Sequence, residues 1–311
     1  MKKLYHESWY KNKSVLVTGG AGFIGSHLVE RLVALGARVT VLDNCSTGRL
    51  DNLQSCFSHI TMVHGNVCTR EDVDLAMRGQ DVVFHLAAFI SVPQSIKHPQ
   101  QCYATNVQGT CNVLEFAVAH HVAHVVFSSS SAVYGLRSDV CDELTPTNPC
   151  SPYAESKLVG EQLCSYFSQR YGIDTTCLRY FNVYGERQNP QGDYAAVVAK
   201  FTHALRAHEP LIVYGDGLQT RDFVSVADVV QANLVSACQQ GVAGEVFNIG
   251  SGRSISLLEL IKELERTLHT SAASIVFEPA RAGDIQYSQA NCNKFFKMVT
   301  SLLRRKPTLQ L

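Results

Sequence analysis

A tyrosine and a lysine four residues apart, Tyr153 and Lys157, have the side chains that proton transfer requires. Pro152 disfavours helix before itself, so a helix is predicted to begin near Tyr153 and to place both residues on one face. A nearby ammonium favours the phenolate and lowers a tyrosine pKa from about 10 towards neutral pH. The pair therefore predicts a general base that can return its proton as an acid. The same spacing is also common on solvated helix faces.

A glycine-rich segment, Thr18-Gly-Gly-Ala-Gly-Phe-Ile-Gly25, joins a short apolar strand to a helical pattern. Glycines there permit a tight turn, and the helix N-terminus can face a pyrophosphate. Asp43 ends the next strand, where a carboxylate accepts hydrogen bonds from ribose hydroxyls and repels a 2′-phosphate. The combination favours NAD over NADP. Taken alone, the glycines are also typical of a flexible turn, and Asp43 of a strand end.

A serine run at 128–131 follows another apolar strand and precedes Ala132-Val-Tyr-Gly135. Ligands of parallel sheets bind at the carboxyl ends of the strands, so hydroxyls at this place would meet the nicotinamide. Serines also form polar loops readily, which is the alternative interpretation.

The elements that must position these residues alternate regularly over the first half of the chain. Apolar strand patterns are separated by helical patterns, which indicates a parallel sheet covered on both faces, the doubly wound α/β (Rossmann) fold. Thr69 is predicted to start a further helix. The predicted strands are Ser14–Thr18, Arg38–Leu42, Asp81–Leu86 and Val125–Ser129, and the predicted helices include Gly22–Leu35 and Cys102–Ala119.

Beyond about residue 180 the pattern changes to short strands, glycine-rich turns and fewer helices. We expect residues 1–180 to form the cofactor domain and 181–311 a smaller α/β substrate lobe, interleaved with the first domain. The predicted elements of this lobe are the helices Tyr194–Ala207 and Leu257–Leu268 and the strands Leu211–Tyr214 and Val246–Ile249.

The composition excludes several classes of function. With 27 basic and 27 acidic residues among 311, the formal net charge is zero, so no nucleic-acid partner is expected. The N-terminus lacks the apolar core of a signal peptide, and no apolar run reaches membrane-spanning length. The eleven cysteines form no Cys-x-x-Cys pair, so we expect reduced thiols and a cytoplasmic location. Histidines with metal-ligand spacing lack a third partner, so we expect no metal.

Together these motifs resemble the extended short-chain dehydrogenase/reductase superfamily, and more closely its nucleotide-sugar 4-epimerases, from about Ser14 to Leu311. The resemblance implies an NAD cofactor, a homodimer and a catalytic trio of Ser130, Tyr153 and Lys157. The cofactor contacts that it implies are Gly19, Gly22, Phe23, Ile24, Gly25, Asp43, Asn66, Ala87, Asn106, Tyr153 and Lys157.

The resemblance also implies a UDP-sugar substrate. Tyr214 matches the residue that stacks on uracil, whereas Arg221 and Arg281 match two arginines whose donor forks suit a pyrophosphate. The full set of implied substrate contacts is Ser91, Ser131, Asn182, Tyr214, Arg221, Arg281, Asp284 and Ser288.

The implied reaction begins when Tyr153, held as a phenolate by Lys157 and NAD⁺ and helped by Ser130, takes the proton of the sugar 4-hydroxyl. Hydride passes from carbon 4 to NAD⁺, the 4-keto sugar turns over in the pocket, and hydride returns to its other face. Related dehydratases carry Thr-Asp-Glu at the serine turn, and related decarboxylases carry a glutamate at the position of Ala132. Simple epimerisation therefore fits best, with those reactions and a non-catalytic NAD-binding role as alternatives.

Ser288 stands where enzymes restricted to UDP-glucose and UDP-galactose have a bulky tyrosine, so the resemblance favours UDP-GlcNAc/UDP-GalNAc. The alternative is that Ser288 is an ordinary small residue and that the substrates are UDP-glucose and UDP-galactose.

Two features depart from the pattern of the family. Asn66 replaces an aspartate that accepts from adenine, and the stretch from Arg304 to Leu311 resembles the approach to a last helix that we expect to be absent.

Overall fold

Seven parallel strands form the central sheet of this computed structural model, which describes residues 8–190, 197–239, 241–280 and 285–299. Their order in the sheet is β10-β6-β5-β4-β1-β2-β3. Numbered along the chain, they are β1 Ser14–Thr18, β2 Arg38–Asp43, β3 Ile60–His64, β4 Val82–His85, β5 His124–Ser130, β6 Asp174–Tyr180 and β10 Glu245–Ile249. The order reverses between β1 and β4, where doubly wound sheets bind their ligands at the carboxyl ends of the strands.

Helices cover both faces of this sheet, which explains why strand β1 buries apolar side chains on both of its sides. Val15 and Val17 pack into one buried cluster and Leu16 into another on the opposite face. A strand buried on both faces has no polar side to show to water. The helices of this half of the chain are α1 Phe23–Ala34, α2 Arg70–Met77, α3 Val92–Lys97, α4 Pro99–Tyr103, α5 Gly109–Ala119 and α6 Pro152–Tyr171.

The helix predicted over Cys102–Ala119 is two helices joined by a π turn at Ala104–Gln108. Periodicity predicts the helical face but does not reveal the extra residue that widens this turn. The predicted helix start at Thr69 is confirmed. Thr69 is the N-cap of α2, but its side chain makes no capping hydrogen bond.

The second half of the chain builds two small sheets and returns one strand, β10, to the large sheet. The small sheets have the orders β11-β9-β7 and β12-β8. Their strands are β7 Asn182–Tyr184, β8 Leu211–Tyr214, β9 Thr220–Ser225, β11 Ser254–Ser256 and β12 Ile275–Glu278, and the accompanying helices are α7 Val197–Ala207, α8 Val226–Cys238, α9 Leu257–Leu268 and α10 Asn293–Val299.

The predicted doubly wound α/β fold is thus confirmed. Three parts of the sequence predictions lie outside the described residues. They are the first residues of the predicted helix Tyr194–Ala207, the residues Arg281 and Asp284, and the C-terminal stretch from Arg304. None of the helices in the described part of the chain has the length and apolar composition needed to span a bilayer. All eleven cysteines lie within it, and none is in a disulfide.

Candidate active site

Helix α6 brings Tyr153 and Lys157 to the carboxyl end of β5, beside the serine run. The helix begins where Pro152 predicts, and the Ser151 hydroxyl caps it by accepting from the Ala154 amide at 3.2 Å. The backbone N–H of Tyr153 donates to Ser95 Oγ of α3 at 3.1 Å. The first turn of α6 is therefore fixed both to its own cap and to a neighbouring helix.

Lys157 is buried, and its ammonium group has a definite place. Nζ donates to the carbonyl oxygen of Ser128 at 2.7 Å and lies 5.1 Å from the centre of the Phe127 ring. Burial lowers the pKa of Lys157 to about 8, although the carboxylate of Glu161, one turn further along α6, acts to raise it. The site thus holds an ammonium group that is more acidic than that of an ordinary lysine.

Tyr153 has the Ser130 side chain as a hydroxyl-bearing neighbour, as proton transfer between the two would require. Burial raises the pKa of Tyr153, and the Ser130 side chain opposes that rise. This rise is opposite to the direction that the spacing of Tyr153 and Lys157 predicts. Desolvation outweighs the favourable contacts, and the Lys157 ammonium is hydrogen-bonded to the Ser128 carbonyl.

The serine turn is shaped by a short 3₁₀ segment, Ser131–Tyr134, that follows β5 directly. Ser130 Oγ accepts from the Ala132 amide at 3.2 Å, so its hydroxyl proton stays available to Tyr153 or a substrate. Gly135 then takes φ 68°, and a Cβ there would lie 2.0 Å from the Asn148 carbonyl oxygen. The turn can close only with glycine at this position.

A buried ion pair lies beneath the serine turn and was not singled out from the sequence. Arg179 of β6 binds Glu161 of α6 through two nitrogens, at 2.8 and 2.7 Å. The Ser129 hydroxyl donates to Glu161 at 2.5 Å, and Arg179 also donates to the Tyr134 hydroxyl at 2.9 Å. The pair therefore ties α6 to both ends of the serine turn. The i+8 spacing of Glu161 from Tyr153, two turns along one helix face, is the signal that could have indicated it.

The glycine segment forms a cradle that fits a dinucleotide pyrophosphate. Gly19 has φ 71°, and a Cβ at Gly25 would lie 2.1 Å from the Gly19 carbonyl oxygen. Helix α1 starts at Phe23 and Ile24, its N-cap Gly22 supplies no side-chain cap, and its first turn contains no acidic side chain. The N–H groups of this turn are thus left for an anion.

Asp43 lies next to this cradle, at the end of β2. Its carboxylate accepts from the amide of Ala21 at 2.9 Å and from the amide of Cys45 at 2.8 Å. It therefore orders the glycine turn itself, besides standing where the ribose is expected. Asn66, at the end of β3, uses its amide oxygen to accept from the Cys68 amide at 2.9 Å, which leaves one lone pair for adenine.

The loop after β4 carries Ala87 and is held by Asn106. The Ala87 amide donates to Thr18 Oγ1 at 3.2 Å. Two residues further on, Phe89 donates its amide to the side-chain oxygen of Asn106 at 2.7 Å, and its carbonyl accepts from the Asn106 side-chain nitrogen at 3.0 Å. Asn106 therefore fixes the backbone that is expected to lie beneath the cofactor.

Three of the expected substrate residues, Asn182, Arg221 and Ser288, lie on or next to β9. Asn182 donates to the carbonyl oxygen of Asp222 at 3.2 Å, next to Arg221, and the carbonyl of Ser288 accepts from Ser254 Oγ at 3.0 Å. Tyr214 ends β8, where its carbonyl accepts from a side-chain nitrogen of Gln219.

Asp222, which sequence reasoning missed, is fully buried and accepts four hydrogen bonds. These come from the amide and hydroxyl of Ser251 and from the amides of Gly252 and Ala290, at 2.7 to 3.0 Å. It joins the turn after β10 to the segment that carries Ser288.

Two remaining serines have defined local roles. Ser91 caps α3 by accepting from the Gln94 amide at 3.2 Å, and Ser131 begins the 3₁₀ turn, half-buried. Within the described ranges, no cluster of three His, Cys, Asp or Glu side chains is arranged to hold a metal ion.

Residues 15–250 match the NAD dependent epimerase/dehydratase family. The chain belongs to this family. The UDP-glucose 4-epimerase of Mycolicibacterium smegmatis is 39% identical over 286 residues, which span 88% of each chain. A solved UDP-N-acetylglucosamine 4-epimerase from Methanobrevibacter ruminantium M1, in complex with UDP-N-acetylmuramic acid, is 35% identical with a TM-score of 0.89, over 96% of this chain and 94% of that one. A Thermotoga maritima UDP-glucose 4-epimerase with UDP-glucose is 36% identical with a TM-score of 0.86, over 91% of each chain.

Membership of the epimerase family confirms two sequence predictions, the resemblance to nucleotide-sugar 4-epimerases and the dependence on NAD. The glycine cradle and Asp43 fit that cofactor, as described above. The roles of individual residues in this epimerase stay predictions, which the geometry makes specific.

Proposed function

We propose that this epimerase interconverts UDP-GlcNAc and UDP-GalNAc, with Ser130, Tyr153 and Lys157 as its catalytic residues. The observation that carries the reaction is the placement of Tyr153 and Lys157 one turn apart on α6 beside the serine run, with the Lys157 ammonium buried and bonded to the Ser128 carbonyl. Such a group can remove and return one proton at a fixed place, which reversal of configuration at a hydroxyl-bearing carbon requires.

The glycine cradle, Asp43 and the loop held by Asn106 would bind NAD. When bound, NAD supplies the hydride acceptor and donor that the reaction needs. Tyr153 takes the proton of the sugar 4-hydroxyl as the 4-keto form appears and returns it after the sugar has turned over. Ser130 holds the oxygen throughout, and the Lys157 charge favours the phenolate. Arg221 and Asn182 would anchor the diphosphate, so that only the sugar moves.

Dehydration and decarboxylation are disfavoured by the chemistry of the serine turn. Its residues from Ser131 to Tyr134 include no carboxylate. Glu161 lies beneath the turn but is bound to Arg179, and Glu143 accepts from the Asn248 amide at 2.8 Å. Neither carboxylate is therefore placed as a second acid or base for the sugar.

The choice of the N-acetylated sugars rests on Ser288. Two hydrogen bonds fix the segment around it. The Ser254 hydroxyl donates to the Ser288 carbonyl, and the Ala290 amide donates to the buried Asp222 carboxylate. A small side chain at a fixed position leaves room for a substituent at carbon 2. A relative that is a UDP-N-acetylglucosamine 4-epimerase supports this choice. The UDP-glucose 4-epimerases among the relatives favour the alternative substrate, and an open pocket can also admit the smaller sugar.

The test compares two variants at one position. The purified protein is given equal UDP-GlcNAc and UDP-glucose without added NAD, and both 4-epimers are quantified by NMR. We expect UDP-GalNAc to dominate. Ser288→Tyr should lower kcat/KM for UDP-GlcNAc about tenfold to a hundredfold while UDP-glucose is spared, because overpacking costs about 1–3 kcal/mol. Ser288→Ala keeps the space and should behave like the wild type. Dominance of UDP-galactose would overturn the choice of sugar but keep the reaction, whereas no epimer of either sugar, even with NAD supplied, would overturn both.

We further propose that the protein is a homodimer that pairs through α5 and α6. Tyr166 and Tyr171 of α6 are more than half exposed, with ring centres 6.2 Å apart, which supports this face as an interface. Analytical ultracentrifugation should give a dimer for the wild type and a shift towards monomer for Tyr166→Glu. A monomeric wild type at micromolar concentrations would contradict the proposal.

A further inference from the structure

A buried imidazole joins the glycine cradle to the helix that precedes the active site. His85 ends β4 and is 1% exposed. Its Nδ1 lies 2.7 Å from Thr18 Oγ1, at the end of β1, and its Nε2 lies 3.0 Å from Thr110 Oγ1 of α5. Both ring nitrogens therefore have a hydroxyl partner, one on each neighbouring element.

The partners determine the direction of each hydrogen bond. The Thr110 hydroxyl donates its one proton to the carbonyl oxygen of Asn106 at 2.6 Å, so its oxygen accepts from Nε2–H of His85. Nδ1 of His85 then accepts from the Thr18 hydroxyl, whose oxygen accepts from the Ala87 amide. Burial, with the Lys157 charge as a lesser cause, lowers the pKa of His85 to about 3, so the ring stays neutral near pH 7.

Thr110 holds the π turn in place. A threonine hydroxyl that binds the carbonyl four residues earlier is a common way to shape a helix. Here the same hydroxyl is also bound by His85, so the turn that carries Asn106 is anchored to the central sheet. π turns of this kind occur frequently at functional sites.

Asn106 passes this restraint on to the catalytic helix. Its side-chain nitrogen donates to Ser156 Oγ at 2.8 Å, and the Ser156 hydroxyl donates to the carbonyl oxygen of Tyr153 at 2.7 Å. The same side chain binds both backbone groups of Phe89. Hydrogen bonds thus connect the end of β1 to the backbone carbonyl of Asn106, and the Asn106 side chain and Ser156 continue the connection to the backbone of Tyr153.

We propose that Thr110 is a positioning residue for Tyr153. Its hydroxyl, held by His85, fixes the backbone carbonyl of Asn106 and thereby orients the Asn106 side-chain amide. That side-chain amide sets the position of the helical turn that carries the tyrosine. The inference rests on the proposed catalytic role of Tyr153. It adds a residue that lies outside the trio and is placed to act only through other side chains. Displacement of a reacting group by about 1 Å can lower turnover a hundredfold.

The chain contains a matched control. His124 Nε2 lies 2.9 Å from Thr176 Oγ1, and the Thr176 hydroxyl donates to the carbonyl oxygen of Val242 at 3.1 Å. Both residues are buried at the opposite end of the sheet, at the starts of β5 and β6. Thr176→Val therefore removes the same hydroxyl from the same kind of imidazole partnership, away from the active site.

The experiment compares Thr110→Val, Thr110→Ser and Thr176→Val with the wild type as NAD-loaded enzyme. Thr110→Val should lower kcat about tenfold to a hundredfold with KM within about twofold, and Thr110→Ser should recover most of the loss. Thr176→Val should show a fall in Tm similar to that of Thr110→Val and keep the wild-type kcat. Thr18→Val removes the other hydroxyl bound to His85 and should lower kcat as Thr110→Val does.

A spectroscopic readout separates positioning from stability. The apparent pKa of Tyr153 is measured from the part of the phenolate absorbance of each protein that disappears when Tyr153→Phe is introduced as well. This pKa should differ from the wild-type value in Thr110→Val and equal it in Thr176→Val. A wild-type kcat in Thr110→Val, or an equal loss in Thr176→Val, would overturn the inference. Wild-type activity in Tyr153→Phe itself would instead overturn the proposed function.

Discussion

The ammonium nitrogen of Lys157 lies 2.7 Å from the carbonyl oxygen of Ser128, in a site where the lysine is 4% exposed. Because burial lowers its pKa to about 8 from 10.5, the charged form costs the fold about 3 kcal/mol near pH 7. Lys157→Met removes that cost and one hydrogen bond of about 1 kcal/mol. We expect its Tm to equal or exceed that of the wild type in calorimetry, while kcat falls at least about a hundredfold.

Lys294 provides the control for this variant. Its ammonium group also donates to a carbonyl oxygen, that of Val246 at 2.8 Å, and lies 4.9 Å from the Phe247 ring, but its side chain is 39% exposed. Lys294→Met should therefore lower Tm slightly and leave kcat unchanged. A lower Tm for Lys157→Met than for Lys294→Met would show that the Lys157 charge is not a stability cost.

Asp43 should contribute to NAD affinity both directly and through the glycine turn. Asp43→Asn keeps one acceptor for the Ala21 or Cys45 amides but removes the charge. Charge-assisted hydrogen bonds contribute about 1.5–3 kcal/mol, so we expect NADH affinity to fall about tenfold to a hundredfold in a fluorescence titration. Asp51→Asn, on an exposed residue in an exposed ion pair, is the control and should bind as the wild type does. Unchanged affinity in Asp43→Asn would remove Asp43 from the cofactor site.

The buried pair of Glu161 and Arg179 predicts strong non-additivity. Glu161→Gln leaves a buried guanidinium without its carboxylate, which should cost about 3–5 kcal/mol of unfolding free energy. Glu161→Gln combined with Arg179→Met removes both charges and should recover a large part of that loss. Urea unfolding of the single and double variants gives the coupling energy. Additive losses would mean that the two charges do not depend on each other.

Stability should fall steeply in acid because two buried histidines stay neutral in the fold. Burial lowers the pKa of His85 to about 3 and that of His124 to about 4, against an ordinary value of 6.5. Below pH 6.5 the unfolded chain binds protons that the folded chain does not, so each histidine lowers stability by about 1.4 kcal/mol per pH unit. His124→Gln should flatten the dependence measured by urea unfolding between pH 6.5 and 4.5. The same slope as the wild type would contradict this account.

The sequence predicted some elements to the residue because their signals are local. The bounds of β1, β8 and α9 agree with the predicted ones, since each is an apolar run or an amphipathic helix with clear ends. The π turn at Ala104–Gln108 was not predicted, because it keeps the helical pattern and changes only which carbonyl each amide reaches.

For the site, spacing along one helix placed Tyr153 and Lys157 together and found the helix start. It could not show that the ammonium group of Lys157 is bound by Ser128, because that partner is on another element, 29 residues away. Asp222 was missed for the same reason, since its four hydrogen-bond donors lie on segments far along the chain. Local patterns predict elements, whereas networks depend on how those elements pack.

Strand β10 comes from the second half of the chain and pairs with β6 at the end of the large sheet. During synthesis, β6 is complete at Tyr180, but its partner begins only at Glu245, about 65 residues later. At about 5–20 residues per second, the ribosome needs about 3 to 13 s to make that stretch. Throughout this interval β6 has no partner strand on that side, and an open strand edge is the kind of surface on which chains aggregate. Translation speed between these strands, and chaperone access to them, should therefore set the yield of folded protein in a cell.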